Sequence, residues 1–228
     1  TAVDREVLTE AAADEAVRDL KAPVRERVGL YALDLERQRL IGILAAWLEV
    51  EGSRDISFTV ELSEESLEWD CDGLNLSLKV DRVDRLSTGQ RIVIDYKSSA
   101  GQSAIDWSQS PLKSPQLPCY SQVITDVETI AIGQVSINEP GYLTLGADIG
   151  LDDADKKSKK AMDRAGVSEL AGLKDQWLVD LRSLVSAFVN GSGTPTPSPS
   201  ACRYCHYAAI CRAHAVSDWD AEEELWGE

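Results

Sequence analysis

Arg91-Ile92-Val93-Ile94-Asp95-Tyr96-Lys97 is the stretch that decides the fold. Its run of β-branched residues predicts a central strand buried on both faces. Side chains alternate along a strand, so Asp95 and Lys97 project together while Ile94 and Tyr96 point the other way. Central strands seldom carry two charges without a task. Fourteen positions before Asp95 stands Asp81, in Val80-Asp81-Arg82-Val83-Asp84. A strand over 74–86, joined to 91–97 through Ser87-Thr88-Gly89-Gln90 with Gly89 at positive φ, forms a hairpin that carries both aspartates. Two carboxylates and an ammonium on one surface are able to hold a divalent cation beside a water-orienting lysine. The plainer reading is a solvated Asp/Lys contact on an exposed strand, worth a few tenths of a kcal/mol, roughly. Asp84 lies an odd number of places from Asp81 and is expected on the opposite face, paired with Arg82 or Arg85.

The rest of the chain reads outward from this hairpin. Val3, Val7, Leu8, Ala11, Ala12 and Val17 recur near a helical period in a first helix that ends before Pro23. Val24 to Leu48 is expected to continue as one amphipathic helix with Leu33, Leu40, Leu44 and Leu48 as core. Another strand is expected at Ile56 to Leu62. Pro115 heads a helix on which Gln116 and Tyr120, four apart, share a face. Glu128 to Ile137 and Tyr142 to Ala147 read as a further hairpin around Asn138-Glu139-Pro140-Gly141. Lys156, Lys157, Lys159 and Lys160 lie in a loop, read either as solvated or as a phosphate contact. A last helix covers Ser168 to Val189, with Trp177, Leu181, Leu184, Val185 and Phe188 as packing residues. The resulting class is mixed α/β: one α/β domain over 1–190 (helices 1–50, core 51–190), a Pro/Ser/Thr-rich linker 191–201, a cysteine-rich segment 202–216 and an acidic tail 217–228.

Cys202, Cys205 and Cys211 are spaced closely enough to suggest a metal centre. With His214 they make a Cys₃His set of the kind that holds structural zinc. Cys71 and Cys119 are read as small buried residues.

Val80-Asp81-Arg82-Val83-Asp84, then Ile92-Val93-Ile94-Asp95-Tyr96-Lys97-Ser98, Gln116-Leu117-Pro118-Cys119-Tyr120, and finally Cys202-Arg203-Tyr204-Cys205 with Cys211, resemble the PD-(D/E)xK nucleases of the RecB/AddB type. Within that superfamily the chain is most similar to bacterial DNA repair proteins with a carboxy-terminal nuclease domain. The resemblance implies a restriction-endonuclease-like mixed sheet flanked by helices, followed by a cysteine metal segment. It implies Asp81 and Asp95 as ligands of Mg²⁺ or Mn²⁺, with the Tyr96 backbone carbonyl as a third oxygen. Lys97 matches the catalytic lysine, and Gln116 and Tyr120 the Gln-x-x-x-Tyr motif that supports the site. Cys202, Cys205 and Cys211 match three ligands of a [4Fe-4S] cluster whose remaining cysteine lies far upstream, zinc being the rival. DNA is the implied substrate, with a helicase partner or helicase-like region upstream and magnesium-dependent, exonuclease-like hydrolysis as the implied activity.

Two departures are visible. Leu78 stands where the family usually has glycine, and Thr1 to Val50 holds no histidine where relatives place an upstream ligand. Glu36, Glu49 and Glu51 are substitutes, or else exposed helix charges. The absent histidine and fourth cysteine lead to the expectation of a truncated fragment. Two other readings stay open: an inactive nuclease-like module that binds DNA or a partner, and a zinc-stabilised interaction domain.

With 43% hydrophobic residues in 228, the chain is able to bury one substantial core. No apolar run reaches the length of a membrane span, no signal peptide is visible, and the odd cysteine count fits a reducing cytoplasm. The net charge of −16 counts against a DNA-gripping surface. Six acids with no base fall in Glu61 to Asp72, however, and six more in Asp218 to Glu228, which leaves the cleft free to be less negative.

Overall fold

The computed structural model describes residues 2–98, 103–108, 112, 114–150, 156, 158–160, 162, 163, 166–192, 202, 203 and 205–211. The chain divides into two units, Thr1–Leu184 and Val185–Glu228. In the first, three helices, α1 (Ala2–Asp19), α2 (Ala22–Val28) and α3 (Leu30–Gly52), precede strands β1 (Phe58–Cys71), β2 (Leu74–Leu86) and β3 (Arg91–Lys97). Helix α4 (Gln116–Val123), strands β4 (Val127–Gln134) and β5 (Gly141–Gly146), and helix α5 (Leu170–Val189) follow. The strands form one mixed sheet in sequence order; only β3 and β4 run parallel, joined by a crossover that includes α4. The fold is the flanked mixed sheet that the motifs imply.

β3 is the centre of the molecule because both of its faces are apolar. Val93 joins Val80, Val83, Ile130 and Ile132 beneath Leu117 and Tyr120 of α4 and Trp177 and Leu181 of α5. Ile92 and Ile94 join Leu86 and Ala131 beneath Trp47 of α3. A strand covered on both sides has no room for the alternating polar residues of an exposed sheet, and its run of β-branched residues reflects that.

Several expectations are corrected. The helix expected to run unbroken from Val24 to Leu48 is interrupted at Gly29, whose φ of +80° and ψ of 157° lie outside any helix and which glycine adopts without a steric cost. On α3 the buried residues are Ile43 and Trp47; Leu33, Leu40, Leu44 and Leu48 are only half-buried. Apolar residues lie almost all round this helix, so their period does not single out the face that meets the sheet. On α1, Val7 and Leu8 are exposed, and Thr9 and Ala13 are the buried positions.

β1 is twice as long as the expected Ile56–Leu62 and runs through the acidic segment. Leu62, Leu67 and Trp69 pack toward the core while the acids between them face outward. Asp72 and Gly73, at φ +51° and +86°, form a two-residue turn between the paired Cys71 and Leu74. The Gly73 amide donates to the Asp70 carboxylate at 2.9 Å. Cys71 and Cys119 are buried free thiols, as expected. The described part of 156–163 is helical rather than a loop, and Ser158 is buried there with its hydroxyl on the Gly146 backbone. Lys157, His214, most of the linker and the acidic tail lie outside the described residues.

On α5, Trp177, Leu181 and Val185 are buried as expected, yet Leu184 is 45% and Phe188 71% exposed. Ile94→Ala is therefore expected to destabilise the protein by about 2–5 kcal/mol, and Leu184→Ala by no more than about 0.5 kcal/mol, measured as the change in urea midpoint.

Candidate active site

Antiparallel pairing of β2 with β3 sets Arg82 opposite Ile94 and Val83 opposite Val93. One step further in that register Asp81 stands across from Asp95. The ladder stops there, and Glu64, the residue of β1 nearest this register, has a φ of +54°. In place of a ladder carbonyl, the Asp81 carboxylate accepts the Tyr96 backbone N–H at 2.9 Å. The two aspartates predicted from spacing alone are thus brought together.

Asp95 is 2% exposed. Its Oδ2 pairs with Lys97 Nζ at 2.6 Å, and its Oδ1 is buried with no hydrogen-bond partner among the described residues. Burial pushes the Asp95 carboxyl above the ordinary range; Lys97 opposes that shift, and Asp81 adds to it as a like charge and as a hydrogen-bond partner of the protonated form. A buried anionic oxygen without a donor is a position that a cation satisfies.

Lys97 also donates to Gln116 Oε1 at 3.1 Å, and Gln116 Nε2 donates to the Tyr120 hydroxyl at 2.7 Å. Tyr120 in turn donates to the Lys79 backbone carbonyl. This chain of bonds ties α4 to β2 and β3 around the carboxylates. A cleft of about 440 Å³ opens beside it, lined by Ser77, Lys79, Asp95, Lys97, Ser114 and Gln116 over a floor that includes Ile132. A larger cleft of about 1000 Å³ lies near the start of β4 and contains Lys159, Asp126 and Glu128 but none of the predicted site residues. Lys159 therefore sits at the far end of β4 from Asp95, which faces Ile132.

The other predicted ligands are not gathered here. Glu36 pairs with Arg39 and Glu49 with Arg5. Glu51 bonds to Arg82 and Tyr142 on the opposite face of the sheet. Asp84 is there too, fully buried, held by Arg82 as expected but also by Arg54 at 2.7 Å. Among the described residues no three His, Cys, Asp or Glu side chains are close enough together to hold an ion. Cys202, Cys205 and Cys211 are free thiols, the last two exposed. The pair Asp81 and Asp95 does fit a hard cation that keeps most of its water and takes one or two carboxylates.

The model of the PD-(D/E)XK nuclease superfamily matches residues 1–212. The chain belongs to that superfamily. No curated protein matches it. One solved structure, described as the crystal structure of SSO0001, is 14% identical over 89% of this chain and 80% of the other, with a TM-score of 0.34, too slight a likeness to carry an argument. As a member of that superfamily the chain carries Asp81, Asp95 and Lys97 on its central hairpin; behind them Arg82 is the expected partner of Asp84, whereas nothing in the sequence flags Arg54.

The raised Asp95 carboxyl has a measurable sign. In the metal-free protein the folded state holds this proton more tightly than the unfolded chain, so the native state is favoured below the ordinary Asp range and loses that advantage as pH rises through the folded value. Asp95→Asn is expected to raise the Tm of metal-free protein at pH 7, with the gain shrinking toward pH 4, in a calorimetric pH series.

Proposed function

We propose that this chain is the magnesium- or manganese-dependent DNA nuclease domain of a RecB/AddB-type repair or recombination protein, acting in the cytoplasm beside a helicase. Superfamily membership gives the coarse activity, hydrolysis of a phosphodiester with a divalent cation. The observation that carries the finer reading is the orphaned Asp95 Oδ1, buried between a second carboxylate and an ammonium. An inactive descendant has no reason to keep an uncompensated oxygen there.

Asp81 and Asp95 would hold the cation. The Tyr96 carbonyl is the third oxygen: in a strand the N–H and C=O of one residue point the same way, and the Tyr96 N–H already points at Asp81. When bound, such an ion polarises the scissile phosphate and lowers the pKa of a coordinated water. Lys97 would offer its ammonium to the attacking water or to charge building on the phosphate. Gln116 holds the ammonium in place and Tyr120 holds Gln116.

The charge of −16 is compatible with this role because part of the acidity is neutralised away from the cleft. Glu61 bonds to Arg85 and Arg91, which lower its carboxyl to about 2. The alternative, a module that binds without cutting, shares the geometry and predicts no product. For the carboxy-terminal cysteines the spacing supports an iron-sulfur centre or zinc, told apart by an absorbance band near about 400 nm against colourless bound zinc.

Labelled single- and double-stranded DNA incubated with Mg²⁺ or Mn²⁺ tests the reading. Asp95→Ala is expected to lose both cleavage and calorimetric metal binding. Lys97→Ala should lose about 10²-fold or more in turnover while metal affinity stays near that of the parent. Equal cleavage by parent and Asp95→Ala defeats the assignment.

A further inference from the structure

The face of the sheet opposite the carboxylates carries a second polar cluster that the nuclease reading leaves unused. Arg82 donates to Asp84 through two nitrogens, at 2.6 and 2.9 Å, and to Glu51 at 3.1 Å. Its remaining nitrogen, Nη1, donates to the Tyr96 hydroxyl at 2.8 Å. Arg54 shares Asp84 and lies 3.7 Å from the centre of the Phe58 ring. Tyr142 donates to Glu51.

Tyr96 is the member of this cluster that touches the active site. Its ring meets Trp47 edge-on, centroids 5.6 Å apart at 88°. The ring lies so close over β4 that a Cβ on Gly133 would come within 2.7 Å of it. Glycine there is what lets the ring sit down. The ring is thus held by an edge, a floor and a hydrogen bond at its tip, which leaves its side-chain torsions no freedom. On the other side of the same residue, the backbone N–H holds the Asp81 carboxylate. The regular β2–β3 ladder has ended by then, so on the β2 side this N–H meets only the Asp81 carboxylate, while on its other edge β3 stays paired with β4 through Lys97.

We infer that Tyr96 is a positioning residue, with Arg82 as its anchor: the clamped ring fixes the main chain between Asp95 and Lys97 so that its amide captures Asp81 and its carbonyl faces the same point. Ligand orientation by groups that never touch the ion is typically worth about 10–100-fold in affinity or activity. A phenylalanine would fill the same space; the hydroxyl is needed only if orientation matters. The inference rests on the nuclease reading for its purpose, but the clamp itself is testable without metal.

The experiment compares parent, Tyr96→Phe and Arg82→Lys. The lysine variant keeps a cation against Asp84, gives up the Tyr96 bond and leaves the contact of the Tyr96 ring with Trp47 in place. In metal-free protein, amide hydrogen exchange at position 96 is followed by NMR, with Ile94 and Ile130 as internal references. Mn²⁺ affinity is then read by calorimetry, and DNA turnover at saturating Mn²⁺. Both variants are expected to exchange the residue-96 amide about tenfold faster than the references predict, to bind Mn²⁺ about 10–100-fold more weakly, and to lose kcat with KM for DNA unchanged. An unchanged amide overturns the inference, whatever happens to the melting temperature. If the parent binds no Mn²⁺ and cuts nothing, the nuclease reading fails, and the exchange result still decides whether the clamp holds Asp81.

Discussion

A carboxylate buried to 2% with one oxygen on an ammonium and the other without a donor is the constraint from which the rest of this molecule follows. Asp95 is destabilising in itself, since transfer of an unpaired anionic oxygen out of water is not repaid by one salt bridge. It is tolerated because β3 lies at the centre of a sheet with apolar packing on both faces, and because Lys97, Gln116 and Tyr120 bring polar partners to its edge. Stability and function are opposed at this point, the usual sign of a site shaped for something other than folding.

The two faces of the central hairpin divide the labour. The side facing α4 presents the carboxylates to a cleft, whereas the side facing α3 buries Arg82, Asp84, Arg54 and Glu51 against Trp47 and Tyr142. Such a network fixes geometry more than it adds stability, because desolvating the ions offsets most of their attraction. Arg54 lies just past the end of α3, Glu51 is in its last turn and Arg82 is on β2, so the helix and the sheet are held in one relative arrangement. Tyr96 is where this arrangement meets the chemistry.

How much of this was legible in the sequence depends on whether the signal was local. The hairpin of β2 and β3, Asp81 near Asp95, Lys97 on the same face and Gln116 one turn from Tyr120 all follow from strand alternation and helix period. The extent of β1 did not follow, because six acids in twelve residues look unlike a strand until the partner strand supplies the other half of the pattern. Asp72-Gly73 was the available clue, a turn pair with both residues at positive φ. The break at Gly29 was hidden by helix formers on either side. Arg54 was beyond reach, since it lies 30 residues from the Asp84 it neutralises and no short motif links them. Leu184 and Phe188 stand exposed while Val185 between them is buried, so the recurrence of apolar residues does not by itself show which face of a helix is covered.

β1 occupies one edge of the sheet, and among the described residues its outer backbone groups have no strand to pair with. A free edge of fourteen residues is an invitation to self-association, since any extended chain finds there a row of ready partners. The acids set along that strand make the invitation unattractive: a second copy arriving edge to edge would bring the same charges against them. Part of the negative balance of this protein is thereby a guard against templated aggregation rather than a statement about what the cleft receives.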